Sequence, residues 1–180
     1  LNVLYYAKDR EMQIDPVDAP DLVADVVGVL ATRAQQLAVG LRTEVEQSAR
    51  AFRADRSAVH SLLVNLVENS LDACRTDKKK VDHEVVVKVR RDARAMVFQV
   101  SDNGIGMDRE TREKAFSAFF SSKGTEGTGL GLFIAHKIAA SHKGSIAIDS
   151  SLHEGTCFTV LIPIGDGPGE AHGESYSGDR

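Results

Sequence analysis

The sequence predicts an α/β fold, a two-layer sandwich in which helices cover one face of a mixed, mostly antiparallel sheet. Two segments, 19–38 and 55–75, carry apolar residues at helical spacing. Two other stretches, 84–103 and 145–163, each contain two apolar segments joined by a short polar connection, which is typical of antiparallel strand pairs. Helices and strands that occur in this order favour one layer of each.

The first half of the chain is expected to begin with a helix between short strands. Residues 12–18 indicate a strand and turn, and residues 41–46 and 51–54 indicate two further strands. The apolar stripe of helix 19–38 comprises Leu22, Val26, Val29 and Leu30.

Segment 55–75 has the strongest helical pattern in the chain. Asp55 is placed to accept a hydrogen bond from the first turn as an N-terminal cap. The apolar stripe consists of Val59, Leu62, Leu63, Leu66 and Leu71.

The second half is expected to add the central strands and two more helices. Strands 84–91 and 94–103 precede a short helix at 108–116, and an amphipathic helix at 130–142 stops at Gly144. The closing antiparallel pair is 145–151 with 156–163.

Size and composition indicate a globular domain with an ordinary core. The chain has 180 residues, of which 42% are hydrophobic and 27% charged, with a net charge of −4. This acidic balance argues against nucleic acid or an anionic membrane as the partner. Because Cys74 and Cys157 lack metal-site spacing, both are expected to be buried structural thiols in a reducing compartment, which favours a cytoplasmic location.

The chain is expected to be a piece of a longer protein, since it begins with Leu1. Residues 1–10 are interpreted as the end of an upstream helix and 11–164 as one domain. Residues 165–180 are polar and rich in glycine, which predicts a disordered tail. The sequence has no apolar run long enough to cross a membrane and no signal peptide.

A first cluster of polar residues interrupts the helix at 55–75. In "NLVENSLDA", Asn65 and Asn69 are four residues apart and therefore share one helix face, which Asp72 extends. Amide oxygens suit Mg²⁺ when water and phosphate supply the rest of its shell. Hydrogen bonding within the core is the alternative.

A second cluster ends the strand at 94–103. In "VSDNGIGM", Asp102 can accept a hydrogen bond from an exocyclic amine such as that of adenine. Gly104 and Gly106 let the backbone approach a flat ring, against which Ile105 and Met107 offer apolar contact. A tight turn is the alternative.

A third cluster, "SSKGTEGTGLGL", leads into the helix at 130–142. Backbone N–H groups at that helix N-terminus can face an anion, and Lys123 is a flexible cation able to reach a phosphate. The glycine spacing matches neither the P-loop nor the dinucleotide motif. The flanking residues Phe116, Phe119 and Phe120 are expected to be core residues at the hinge of this loop.

These clusters occur in an order that resembles the catalytic ATP-binding domain of sensor histidine kinases. The superfamily also includes gyrase, heat-shock chaperone and mismatch-repair ATPases. "NLVENSLDA" resembles the N box, "DNGIGM" the G1 box, "FSAFFSSKG" the F box and "GTGLGL" the G2 box. The resemblance covers roughly residues 12–164, and the short loop is similar to that of nitrogen-regulation sensor kinases.

The resemblance implies ATP and Mg²⁺ as ligands and assigns a role to each motif. Asn65 and Asn69 would hold the metal, Asn65 and Lys123 would serve catalysis, and Asp102 would bind the adenine amino group. Thr156 would support the end of the site at Asp102 through a bridging water molecule. The implied nucleotide-binding residues are Asn69, Asp102, Gly104, Ile105, Gly106, Met107, Lys123, Thr128, Gly129, Leu130, Gly131, Leu132 and Thr156.

The residue at position 65 favours phosphotransfer over hydrolysis. Relatives that hydrolyse ATP carry a glutamate there as general base, and an amide such as Asn65 cannot take a proton. Glu68 is not an obvious substitute, since it points about 100° around the helix from Asn69. An ATPase of the superfamily, an anti-sigma type serine kinase and a non-enzymatic nucleotide-binding scaffold are the alternatives.

Two features limit what the resemblance implies. Many histidine kinases have a phosphate-binding Lys or Arg where this chain has Asp72, so that contact is expected to be lost. None of the six histidines lies in a His-Glu context on an N-terminal helix, and ordinary surface roles are expected for them. The resemblance therefore implies an upstream phosphoacceptor domain, a response regulator as partner, and a homodimeric, possibly membrane-anchored full-length protein.

Overall fold

The computed structural model describes residues 11–120 and 129–164. The upstream helix end expected at 1–10 and the tail expected at 165–180 lie outside these residues. The helices are α1 (Ala19–Gln36), α2 (Arg56–Thr76), α3 (Arg109–Lys114) and α4 (Gly131–Ser141). The strands are β1 (Asp15–Asp18), β2 (Gly40–Val45), β3 (Ala51–Ala54), β4 (Glu84–Arg91), β5 (Ala95–Asp102), β6 (Ser145–Ser151) and β7 (Gly155–Pro163).

The main sheet has five strands in the order β2-β4-β5-β7-β6. Strands β2 and β4 are parallel, whereas the other neighbouring pairs are antiparallel. Strands β1 and β3 form a separate antiparallel pair. The predicted mixed, mostly antiparallel sheet is confirmed, and in its centre β5 ends at Asp102 beside Thr156, near the beginning of β7.

The core lies between one face of this sheet and the helices. Alternate residues of the central strands point into it, as the period of two in a strand requires. The core residues of β4, β5 and β7 are Val85, Val87, Val89, Met96, Phe98, Val100, Phe158, Val160 and Ile162. Helix α2 packs between α1 and α4 on this face, and the two-layer α/β class is therefore confirmed. No helix among the described residues is long and apolar enough to cross a membrane.

The predicted cap and stripe of α2 are confirmed. The Asp55 carboxylate accepts a hydrogen bond from the Ala58 N–H at 3.1 Å, and all five predicted stripe residues are buried. In α1 the prediction for Val29 is wrong, because its side chain is 63% exposed. Val29 lies about 90° from the centre of the buried face, which Leu22, Val26 and Leu30 occupy together with Val23.

Helix α4 ends as predicted before Gly144, although the glycine has a different role. The residue with left-handed backbone is Lys143, at φ +56°. Gly144 is required because a Cβ there would collide with the carbonyl oxygen of Leu161 on β7. The glycine therefore allows the chain to pass close to the sheet.

Two expectations about single side chains were wrong. His142 is buried, and its Nε2 accepts a hydrogen bond from the Asp55 N–H at 3.1 Å, which joins the end of α4 to the start of α2. Cys157 is only half-buried, whereas Cys74 is buried as predicted, and burial raises the pKa of the Cys74 thiol to about 12. Both cysteines are free thiols.

Replacing Lys143 with glycine is expected to stabilise the domain. Glycine adopts a left-handed conformation without the steric cost that lysine bears, so the free energy of unfolding should rise by about 0.5–1 kcal/mol. Lys137→Gly in the exposed interior of α4 is the matched control and should lower it by about 1 kcal/mol. Urea unfolding measures both changes, and a loss of stability in Lys143→Gly would contradict the assignment.

Candidate nucleotide-binding site

Asp102 is the last residue of β5, and its carboxylate is buried with one oxygen left open. Its side chain Oδ1 accepts a hydrogen bond from the Gly104 N–H at 3.0 Å. Oδ2 is buried without a hydrogen-bond partner among the described residues. Buried polar atoms are nearly always hydrogen-bonded, so an open acceptor at this position fits a ligand that donates a hydrogen bond. The amino group of adenine is such a donor.

The buried environment of the Asp102 carboxylate disfavours its charged form. Burial raises the pKa of Asp102 from 3.8 to about 6, because the charged form loses its hydration. The Ser70 hydroxyl and the backbone N–H groups of Gly104 and Thr156 lower this pKa in part. The carboxylate is therefore ionised at neutral pH and held in an apolar surrounding, where a hydrogen bond to a charged acceptor is strong.

Gly104 and Gly106, which follow Asp102, each lie in close contact with neighbouring backbone. A Cβ on Gly104 would lie 2.5 Å from the backbone carbon of Ala73 on α2. Gly106 has φ +67°, and a Cβ there would collide with the carbonyl of Ser151. The N–H of Ile105 donates to the Ala73 carbonyl at 3.2 Å, which fixes the turn against α2. Both glycines therefore permit the close approach of protein backbone, and their predicted place against the adenine ring stays a prediction.

Ser150 joins this turn to the beginning of β7. The N–H of Met107 donates to Ser150 Oγ at 2.9 Å, and Ser150 Oγ donates to the Gly155 carbonyl at 2.8 Å. The Thr156 hydroxyl lies 2.9 Å from the same Oγ and acts as the donor to it. Thr156 is opposite Asp102 in the strand register, so its predicted place beside the Asp102 end is correct.

The two asparagines of α2 face the beginning of α4. Asn69 Nδ2 donates to the Asn65 backbone carbonyl at 2.7 Å, which directs the Asn69 side chain along the helix. A Cβ on Gly131 would lie 3.4 Å from Asn65 Oδ1 and 3.5 Å from Asn69 Nδ2. The structure therefore directs both amides to one side of α2, as their spacing predicts, and places the first residue of α4 beside them.

At the beginning of α4, the hydrogen-bonding groups are backbone N–H groups rather than side chains. The cap residue Leu130 makes no side-chain cap hydrogen bond, and the first N–H groups of a helix have no partner within the helix. The side chains of Leu130 and Leu132 are partly buried against the core. Gly129 has φ +65°, and its carbonyl accepts from the Phe119 N–H at 3.0 Å. Lys123 and Thr128 lie outside the described residues.

The phenylalanines near this loop do not form one core cluster as predicted. Phe119 is 79% exposed and has φ +64°, so its expected core position is wrong. Its backbone is fixed instead by the close approach of Gly129, where a Cβ would lie 2.5 Å from the Phe119 carbonyl carbon. Phe116 is partly buried and stacks on His136 with ring centroids 5.2 Å apart.

Asp72 is held by two arginines. Its carboxylate accepts a hydrogen bond from Arg33 of α1 at 2.7 Å, and Arg75 lies 3.7 Å away on its own helix. The acidic side chain that replaces the expected phosphate-binding cation is therefore neutralised by its neighbours.

Comparison with known proteins places this site in a family. The model of the histidine kinase-, DNA gyrase B- and HSP90-like ATPase family matches residues 54–166, which include the N-box helix, the Asp102 turn and α4. The chain belongs to this ATPase family. The predicted resemblance to its histidine kinase branch is confirmed by the relatives and solved structures that follow.

A curated relative is the C4-dicarboxylate transport sensor protein DctS of Rhodobacter capsulatus, which is 30% identical over 159 residues. That match covers 88% of this chain and 24% of DctS, so the chain spans about a quarter of this relative.

Two solved histidine kinases share the fold. The catalytic domain of histidine kinase ThkA is 26% identical with a TM-score of 0.74, and the match covers 85% of this chain and 97% of that domain. Full-length ShkA, solved in complex with AMPPNP, is 24% identical with a TM-score of 0.78. This second match covers 89% of this chain and 34% of ShkA.

Sequence reasoning missed Ser70 and Ser150. The signal for Ser70 in the sequence was its position, directly after Asn69 on the helix that carries both asparagines. The structure shows that Ser70 is fully buried there. Ser150 lies on β6, and nothing in the local pattern of that strand distinguishes it from Ser151.

Replacing Asp102 with asparagine is expected to stabilise the domain at alkaline pH. Because the folded-state pKa of about 6 exceeds the ordinary value of 3.8, the folded state binds the proton more tightly than the unfolded chain. The free energy of unfolding therefore falls as pH rises from 3.8 to about 6. Asp102→Asn should raise the free energy of unfolding at pH 8 by up to about 3 kcal/mol, and the difference should vanish near pH 4.

Asp108→Asn is the matched control, with the opposite sign. Hydrogen bonds from Thr111 lower the pKa of the Asp108 carboxyl, so its charged form stabilises the fold at pH values above its ordinary pKa. The Asp108→Asn variant should therefore have a lower free energy of unfolding than the parent at pH 8. Urea unfolding from pH 4 to pH 8 measures both. Equal pH slopes for the parent and Asp102→Asn would contradict the assignment.

Proposed function

We propose that this chain is the catalytic ATP-binding part of a two-component sensor histidine kinase. It binds ATP with Mg²⁺ and transfers the γ-phosphate to a histidine on a separate upstream helical domain. The observation that carries this proposal is an amide at the junction of α2 and α4, where Asn65 Oδ1 faces Gly131. An amide positions groups but cannot accept a proton from water, which favours phosphotransfer over hydrolysis.

Asp102 is proposed to read the adenine base. Its open Oδ2 accepts from the exocyclic amino group, and Gly104 and Gly106 keep the surrounding backbone free of side chains. Guanine carries a carbonyl oxygen at the same position and would place two acceptors against each other. The solved relative ShkA was crystallised with AMPPNP, an adenine nucleotide analogue, which supports this assignment.

The asparagine pair fits a metal that is held mainly by the ligand. Asn65 and Asn69 offer neutral amide oxygens, and no group of three His, Cys, Asp or Glu side chains suitable for a metal occurs among the described residues. Such a site suits Mg²⁺ bound through few protein groups, water and phosphate oxygens. When bound, the metal neutralises charge on the transferring phosphate.

The phosphates are proposed to lie at the beginning of α4. The N–H groups of its first turn, which have no partner within the helix, and the positive end of its dipole favour anions, and Asn65 and Asn69 are adjacent. Lys123 and the backbone of Thr128 are proposed to complete this part of the site. The side chains of Leu130 and Leu132 pack against the core and so contribute only their backbone.

The whole protein is proposed to be a cytoplasmic or membrane-anchored homodimer that passes its phosphate to a response regulator. Histidine kinase ThkA has also been solved in complex with the response regulator TrrA. Since the chain spans about a quarter of DctS, the phosphoacceptor histidine is assigned to sequence beyond it.

An ATPase without kinase activity is the second candidate, and product analysis separates the two. The chain is incubated with radiolabelled ATP·Mg²⁺ and a separate fragment carrying the upstream helical hairpin. We expect label on the hairpin, and phosphate release from ATP about 100-fold slower than transfer because the amide of Asn65 cannot act as a general base. Robust labelling of the chain alone, or release faster than transfer, would overturn the proposal.

ATP affinity is expected to depend on the ionisation of Asp102. With a pKa of about 6, about a tenth of the molecules carry the charged carboxylate at pH 5, so affinity should fall about tenfold from pH 7.5 to pH 5. Purine riboside triphosphate, which lacks the amino group, is the control because its phosphates titrate like those of ATP. Equal losses for the two nucleotides would argue against Asp102 as the adenine-binding group.

A further inference from the structure

Two buried oxygens beside each other lack hydrogen-bond partners among the described residues. One is Oδ2 of Asp102, and the other is Oγ of Ser70, a residue with 0% exposure. Buried polar groups are nearly always hydrogen-bonded, so these two adjacent groups are expected to pair with each other, directly or through a water, or with a ligand. A ligand that donates a hydrogen bond to Asp102 alone would leave the Ser70 hydroxyl without a partner.

The two groups are held together by the backbone around them. Gly104 packs against Ala73 and Cys74 of α2, and the Gly104 N–H fixes Oδ1 of Asp102. This contact sets the distance from the end of β5 to α2. Ser70 is one residue after Asn69, about 100° around the helix, so α2 presents its amides to α4 and its hydroxyl to β5.

The Ser70 hydroxyl makes the largest contribution that lowers the pKa of this carboxylate, so it lies beside Asp102 even though the two oxygens do not meet hydrogen-bond geometry. Smaller contributions come from the backbone N–H groups of Gly104 and Thr156. The nearby Cys74 thiol has its pKa raised to about 12 by burial, so it stays protonated and is a weak donor.

We propose that Ser70 is a positioning residue for adenine: its hydroxyl donates to the Oδ2 side of Asp102, directly or through one water, and orients that oxygen toward the amino group. The proposal rests on the proposed function, because it requires an adenine nucleotide at Asp102. A hydroxyl can rotate to donate in either arrangement, whereas an alanine leaves the carboxylate with backbone donors on one side only.

The test compares two nucleotides that differ only by the amino group. Calorimetric titration of the whole chain with ATP and with purine riboside triphosphate is carried out for the parent and Ser70→Ala. Loss of a hydrogen bond to a charged group predicts about fivefold to tenfold weaker ATP binding. Binding of the analogue should change less than twofold, since it makes no contact that depends on Oδ2.

Ser61→Ala is the matched control, because Ser61 is a half-buried serine on the same helix outside the site. It should leave both affinities unchanged. Urea unfolding without nucleotide shows that each variant is folded under the titration conditions.

The outcomes separate this inference from the proposed function. Equal weakening of both nucleotides in Ser70→Ala would show a packing role and overturn the inference. An unchanged preference for ATP would also overturn it while leaving Asp102 as the adenine-binding group. If the parent itself binds both nucleotides equally, adenine recognition by Asp102 fails, and the inference fails with it.

Discussion

The proposed site depends on one constraint, which is that helix α2 is both the centre of the core and the element that carries three of the polar candidate residues. It packs between α1 and α4 and against the sheet, so most of its surface is buried. Every polar side chain on it is therefore costly unless a partner satisfies it. Asn65 and Asn69 lie toward the beginning of α4, and Ser70 lies toward Asp102 at the end of β5.

The same constraint explains why Asp102 costs stability at neutral pH. Asp102 is ionised there although burial raises its pKa to about 6, and its Oδ2 has no hydrogen-bond partner among the described residues. A ligand that donates a hydrogen bond to Oδ2, as proposed for adenine, would recover part of this free energy on binding. Gly104 makes this arrangement possible, because any side chain there would separate β5 from α2.

The sequence was most informative where periodicity and motif order agree, and least informative where tertiary contacts decide. Helices α1, α2 and α4 and the antiparallel strand pairs follow from apolar spacing, and the joint placement of Asn65, Asn69 and Asp102 follows from their motifs. The burial of His142 and the exposure of Phe119 depend on which element packs nearby, which spacing alone does not show. Ser70 was missed because the carboxylate beside it, that of Asp102, lies 32 positions along the chain on another element.

The acidic residue at position 72 shows how a departure from a motif is compensated in three dimensions. A bare carboxylate one helical turn from Asn69 would repel the phosphates of a nucleotide at that end of the site. Arg33 reaches it from α1 at 2.7 Å, and Arg75 lies 3.7 Å away on α2. A carboxylate paired in this way opposes an anion at that end of the helix less than a bare one would. The compensation therefore comes from a neighbouring helix and from the next turn of α2, not from position 72 itself.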